Sequence, residues 1–355
     1  MKTILATLIC FCTQDLMTQP SSEQIQSYLD SVQTVYQIPA LAGGIMVDGQ
    51  IRWTGAAGAA DLEGKIPAEV ETRFRIASVT KVLTAALVLK LEELGDLDLQ
   101  APVQTYLPDY PEPKKGEMRV IHLLQHTAGV RHSKGAESRS FEHYVTQRDA
   151  CRIFEADKLR FEPGTDYRYS SFGFTVLGAV IEAVTGTPYY EALRIHILSP
   201  AGMEDTALDD RSIDNPAVAR LYKKSGTSVA PDADNDLSLI YAAGGLVSTV
   251  GDLLRFVNAL ETGKLISMDR VQRMLVAPIH AGKVLDEHAG LGWNISTLAE
   301  YGQVCFRVGG QSGCSALLLS YRDAGVTAVL LSNQAVLDPI WEITNQLIGW
   351  GLAMR

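Results

Sequence analysis

Strand-like runs stand at both ends of this chain, and helical patterns fill the stretch between them. Near the start, residues 41–47 and 51–54 are apolar runs joined by Asp48-Gly49, a dipeptide suited to the positive φ angles of a tight hairpin. Near the end, residues 304–308, 316–321 and 326–332 read as three more strands, the last two separated by a turn at Asp323-Ala324-Gly325. This layout predicts an α+β fold with one antiparallel sheet built from N- and C-terminal segments. Two amphipathic helices are placed to flank that sheet. Residues 21–37 put Ile25, Leu29, Val32 and Tyr36 on one face, and residues 339–352 do the same with Ile340, Ile343, Leu347 and Trp350. The middle, about 95–243, carries helical patterns such as 175–185 and is expected to form a mainly helical lobe. Thr249 with Asp252 marks a capped start for a helix over 253–260. A cleft between lobe and sheet is the expected ligand site.

Composition narrows the function classes. Of 355 residues, 46% are hydrophobic and 20% charged, the balance of a folded chain rather than a disordered one. Lys and Arg number 31 against 41 Asp and Glu, a net charge of −10, and no basic stripe is visible, which argues against nucleic acid as a partner. Five cysteines are too few for a disulfide scaffold and lack metal-ligand spacing. Cys305 and Cys314 flank the expected hairpin, which leaves a bridge open, and buried free thiols are the favoured reading. Lys2 followed by an apolar run from Ile4 to Cys12 has the outline of a secretory signal without an A-x-A cleavage site. Residues 1–20 are therefore set apart, either as the signal of a periplasmic or secreted protein or as the disordered start of a cytoplasmic one. Residues 21–355 are read as a single catalytic domain. No stretch reaches the ~18 uncharged apolar residues of a membrane span.

Three segments carry chemistry. Ser78-Val79-Thr80-Lys81 opens a long apolar run, 78–94, stopped by Gly95. Positions three apart share a helix face, so the Ser78 hydroxyl and Lys81 amine can meet. A serine is a weak nucleophile until a neighbouring base takes its proton, and a lysine serves as that base only when its pKa is depressed. Apolar neighbours Val82, Leu83, Ala85, Ala86 and Leu87 suit that desolvation. Tyr169-Ser170-Ser171 is the second segment, since a phenol beside a protonated lysine can shuttle protons. Arg307-Val308-Gly309-Gly310 is the third, a strand whose glycines let backbone approach a substrate and whose N–H groups can stabilise an oxyanion. Each is weak alone: an S-x-x-K arises by chance, a tyrosine before serines is commonly a strand-edge residue, and two glycines are commonly a turn.

Their order and spacing resemble the serine β-lactamase and penicillin-binding superfamily, with its S-x-x-K, Y-x-N and K-T-G motifs. The flanks agree: Phe74-Arg75-Ile76-Ala77-Ser78 looks like the nucleophile segment, Leu123-Leu124-Gln125-His126-Thr127-Ala128-Gly129 like L-L-x-H-T-S-G, and Ala243-Gly244-Gly245-Leu246-Val247-Ser248-Thr249 like A-G-G-L-x-S-T. The resemblance is to the class C β-lactamase-like branch of esterases and D-aminopeptidases. It implies a β-lactamase/transpeptidase-like fold and an acyl-enzyme on Ser78. It implies further that Lys81 and Tyr169 act as the base, that Ser78 and Gly310 N–H groups form the oxyanion hole, and that Gly309, Ser171 and Arg307 line the substrate site. No cofactor or metal is implied; the partner is a small-molecule or peptide acyl substrate, and oligomeric state is not legible.

Two departures bear on substrate. Ser171 stands where the family has Asn, with shorter reach. Arg307-Val308 stands where β-lactamases have Lys-Thr. Arg307 keeps the charge and could hold a substrate carboxylate as a fork, while Val308 lacks the hydroxyl that helps bind a β-lactam carboxylate. Together they favour an ester, amide or D-amino-acid peptide, with weak or no β-lactam hydrolysis. The alternative is a penicillin-recognising sensor that acylates without efficient turnover. His122 and His126 have zinc-like i, i+4 spacing on an expected helix but lack the glutamate of H-E-x-x-H, and His126 is assigned a structural role.

Overall fold

The computed structural model describes residues 19–210, 215–226 and 228–355, so residues 1–18 of the segment read as a signal or disordered start lie outside it. In the N-terminal part come helix α1 (Ser22–Tyr36) and strands β1 (Ala40–Val47), β2 (Gln50–Asp61) and β3 (Ile66–Pro67). Next are three longer helices, α2 (Thr80–Leu94), α3 (Ser171–Thr185) and α4 (Val250–Glu261). The C-terminal part supplies β4 (Asn294–Leu298), β5 (Gly302–Gln311), β6 (Cys314–Tyr321), β7 (Val326–Ser332) and helix α5 (Ile340–Ala353). The seven strands form one sheet in the order β4-β5-β6-β7-β1-β2-β3, and every pair is antiparallel.

The two ends of the chain meet in the β1–β7 pair, where Leu41 lies opposite Ser332 and Val47 opposite Val326. Asp48 and Gly49 make the β1–β2 hairpin with φ of 47° and 75°, as the dipeptide predicts. Strands β1, β6 and β7 are buried along their whole length, because helices cover both faces of the sheet. That is why these strands read as continuous apolar runs rather than alternating ones. On one face, Ile25, Leu29, Ile343 and Leu347 of α1 and α5 pack on Leu41, Ile45, Leu317 and Leu330. Gly351 lets α5 come close, since a Cβ there would sit 2.4 Å from Val326 Cγ1. On the other face, α4 packs against β1 and β7, and Ala42, Ala316, Leu318, Val329 and Leu331 there belong to one apolar cluster that extends to α2.

Several boundaries differ from expectation for physical reasons. The apolar run 78–94 is not one helix: Ala77–Val79 form a 3₁₀ turn, and α2 follows from Thr80. Helix α3 begins at Ser171, four residues earlier than the pattern suggested, because Ser170 caps it by accepting from Gly173 N at 3.1 Å. His122 and His126 do not share a helix face. The helix carrying His122 is only Val120–Leu124, and His126 lies beyond it with φ of 58°. Cys151, Cys305 and Cys314 are free and buried, and Cys314 donates to Arg75 O at 2.9 Å. Among the described residues, no helix is long and apolar enough to cross a membrane.

Candidate active site

Ser78 sits on the 3₁₀ turn where α2 meets the sheet. Ala77 just before it has φ of 43°, a left-handed conformation that costs a residue with a Cβ on the order of 1 kcal/mol. The turn is held from two sides. Ile76 N donates to Leu246 O at 3.0 Å, and Gly309 of β5 lies so close that a Cβ there would sit 2.3 Å from Ile76 O. The glycine at 309 is therefore required by the backbone bearing the nucleophile, whereas a Cβ at Gly310 would meet open space.

The hydroxyl, amine and phenol expected from the sequence come together. Ser78 Oγ is 2.8 Å from Tyr169 Oη, and Lys81 Nζ donates to Ser78 Oγ at 3.2 Å. Lys81 is fully buried, and its ammonium also donates to Ala243 O at 2.6 Å and Ser171 Oγ at 3.2 Å, so all three protons are used. Arg307 completes the group from β5. The pairing of β4 with β5 ends at Asn294 and Phe306, so the edge of β5 from Arg307 onward is free to flank the nucleophile turn. Arg307 donates from Nε to Ser78 O at 3.2 Å and from Nη1 to Asn294 Oδ1 at 3.3 Å, and its guanidinium lies 4.9 Å from the Tyr169 ring centroid. Only 4% exposed, Arg307 is engaged within the protein rather than extended as a fork for a substrate. Strand alternation puts Val308 on the opposite face with Phe306, 39% exposed, so the weight of the Arg307-Val308 departure falls on Arg307.

These contacts set the protonation states. Burial pulls the Lys81 ammonium down to about 8, against the nearby Tyr169 oxygen and with help from Arg307. Burial alone would raise the Tyr169 phenol. The positive charges of Lys81 and Arg307, with the hydrogen bond to Ser78, outweigh it and bring the phenol down to about 7. A phenol lowered in this way lies within hydrogen-bond reach of a serine hydroxyl, so its ionised form is accessible near neutral pH.

Sequence reasoning missed part of this arrangement. Ala243 O lies in the A-G-G-L-type segment but announces nothing as a backbone acceptor. Asn294 stands alone on β4. His126 and His132 hold the tyrosine segment: Ser170 N donates to His126 Nδ1 at 3.2 Å and Ser171 N to His132 Nδ1 at 3.1 Å. His126 carried a signal in the L-L-Q-H-T-A-G segment; His132, six residues on, carried none.

The family described as Beta-lactamase matches residues 25–349. The human serine beta-lactamase-like protein LACTB, mitochondrial, is 29% identical over 317 residues, covering 69% of this chain and 57% of that protein. The chain thus spans somewhat over half the length of such curated relatives. Esterase EstB of Burkholderia gladioli is 36% identical over 172 residues, 44% of each chain. Among solved structures, a D-stereospecific amidohydrolase from Streptomyces sp. superposes with a TM-score of 0.71 at 26% identity, covering 89% of this chain and 95% of that one.

Proposed function

This chain belongs to the beta-lactamase family, and from that membership we propose that it is a serine hydrolase working through an acyl-enzyme on Ser78. The observation that carries the reading is the contact of Ser78 Oγ with Tyr169 Oη at 2.8 Å, beside a fully buried lysine. In the first step the Tyr169 phenolate takes the Ser78 proton as Oγ attacks the acyl carbon. The protonated Lys81 holds Ser78 Oγ in place and its nearby charge offsets that of the phenolate. The N–H groups of Ser78 and Gly310 receive the developing oxyanion. Tyr169 then returns its proton to the leaving alcohol or amine. Water then attacks the acyl carbon as Tyr169 again accepts a proton, and Tyr169 returns that proton to Ser78 Oγ as the acid leaves.

The substrate we assign is an uncharged ester, or an amide or D-amino-acid peptide, with weak or no β-lactam hydrolysis. Two observations support it. The Arg307 guanidinium is committed to Ser78 O and Asn294, so it offers little to the carboxylate of a β-lactam. Ser171 Oγ accepts from Lys81, which leaves its single O–H as donor on a shorter side chain, where the family's Asn has two N–H donors and a longer reach for a substrate. The names of an esterase and a D-stereospecific amidohydrolase among the similar proteins point the same way.

The test is a fluorophosphonate label and a short-chain p-nitrophenyl ester. Wild type is expected to be labelled once, on Ser78, and Ser78→Ala to lose the label and at least roughly 10³-fold in rate. Turnover that survives the substitution removes Ser78 from the mechanism. A labelled penicillin adduct that persists for hours without ester turnover would instead favour a sensor that acylates and stops.

A further inference from the structure

The segment from His126 to His132 wraps the start of α3 at three points. Ser170 N donates to His126 Nδ1 at 3.2 Å, Ser170 Oγ donates to Arg131 O at 2.7 Å, and Ser171 N donates to His132 Nδ1 at 3.1 Å. The N–H groups that start a helix have no partner inside it, so a side-chain acceptor there fixes where the helix begins. Here it also fixes Tyr169, one residue earlier in the chain, whose ring lies between the two imidazoles at centroid distances of 4.6 Å and 5.5 Å. The wrap is itself anchored. Arg168 N donates to His126 O at 3.0 Å, and a Cβ at Gly129 would sit 2.5 Å from Phe161 O.

Both imidazoles work as acceptors at Nδ1, so both must be neutral with the proton on Nε2. Burial, then the charges of Arg307 and Lys81, keep His126 far below its usual range. Burial of part of its ring and the Lys81 charge lower His132 too. The two differ in setting: His126 is buried, whereas His132 is solvent-exposed. Core packing accounts for a histidine at 126 and does not account for one at 132.

We propose that His132 is a positioning residue: its neutral Nδ1 holds the Ser171 N–H, and thereby keeps the Tyr169 oxygen within reach of Ser78, Lys81 and Arg307. This rests on the acyl-enzyme reading for its consequence on rate, but its structural half can be read without any substrate.

The experiment compares His132→Ala, which removes the acceptor, with His132→Asn, whose Oδ1 replaces Nδ1 and cannot be protonated. Because the ring is exposed, both variants are expected to melt close to wild type. His132→Ala is expected to lose at least about tenfold in kcat on a p-nitrophenyl ester with KM within about twofold, as a misplaced general base would. His132→Asn is expected to recover most of that loss. The second readout is the ultraviolet absorbance of the Tyr169 phenolate, isolated by difference against Tyr169→Phe. The charged and titrating groups around that phenol are Lys81, Arg307, His126, His132 and Tyr167. Its titration midpoint is expected to rise in His132→Ala, as the phenol drifts from Lys81 and Arg307, and to return in His132→Asn. Wild-type kcat and an unmoved midpoint in His132→Ala would overturn the proposal, as would a His132→Asn that melts normally yet is no better than His132→Ala. If wild type turns over no ester but the midpoint still moves, the hydrolase reading fails and the positioning role stands.

Discussion

The two faces of the central sheet are built on different rules. The face under α1 and α5 is largely apolar and carries no buried charge among the described residues, with Ile25, Leu29, Leu41, Ile45, Leu317, Leu330, Ile343 and Leu347 filling it. The side of the sheet toward α2 and α4 is also close-packed, but the elements there bury charge and imidazole: Lys81 on α2, Asp252 on α4, Arg307 on β5, and Arg75 and His126 in the segments between. Each buried charge is matched. Arg75 reaches Asp209, Asp234 and Asn235, Asp252 accepts from Asp205 N and Thr206, and Lys81 uses all its protons. An apolar layer contributes free energy roughly in proportion to area and tolerates reshuffling, whereas a buried ionic layer contributes little net stability and fixes geometry instead. The comparison teaches that stability and chemistry have been assigned to opposite sides of the same strands.

The largest effect expected from that division is on stability alone. Leu347→Ala, at a fully buried position under α5, is expected to cost about 3 kcal/mol in denaturant unfolding while leaving kcat of the folded fraction unchanged. A large loss of kcat per folded molecule would break the separation of the faces. Next comes Lys81→Met, which is expected to lose at least ~100-fold in kcat, the size of a lost general-base assembly, without lowering the melting temperature, because an ammonium is withdrawn from the interior. A variant that melts much earlier would mean that Lys81 is structural. The smallest effect sharpens the picture rather than dividing it. A base at about 7 that must be deprotonated and a lysine at about 8 that must be protonated give a narrow bell-shaped rate profile, rising through about 7 and falling through about 8. Arg307→Met removes a cation that favours both deprotonations, so both limbs should move to higher pH. The rate at neutrality should then fall severalfold, because less of the phenol is ionised there. Unmoved limbs would show that Arg307 does not tune the phenol.

The same contrast explains what could be read from residues alone. The terminal helices and the sheet were legible because period and length are properties of a local segment: Ile25-Leu29-Val32 and Ile343-Leu347 lie on the faces their spacing assigns. The Asp48-Gly49 hairpin was legible for the same reason. Ser78, Lys81 and Tyr169 were legible through the order of their motifs, and their contact agrees. What escaped was set by distant backbone. The 3₁₀ turn under Ser78 depends on β5 pressing Gly309 against Ile76 O, which no local pattern encodes. The early start of α3 was hidden because Gly173 lowers helix propensity while Ser170 supplies the cap. Arg307 looked like a free fork because its partners, the Ser78 carbonyl and Asn294, lie 229 and 13 residues away in sequence. His132 lay in a stretch with no periodicity to mark it.

The pairing of β1 with β7 has a consequence for how the molecule comes into being. Ala40 N donates to the Asn333 side chain across 293 residues, and the nucleophile turn is braced by Arg307, which follows Ser78 by 229 residues. Loop-closure entropy makes such remote contacts slow to form. Ser78, Lys81 and Tyr169 all precede β5 in the chain, whereas Arg307, which braces the Ser78 carbonyl, and Gly310, the proposed second oxyanion donor, arrive only with β5. A chain lacking β5 to β7 would therefore hold Ser78, Lys81 and Tyr169 without the arginine that braces the turn, so the surroundings of the serine are completed last.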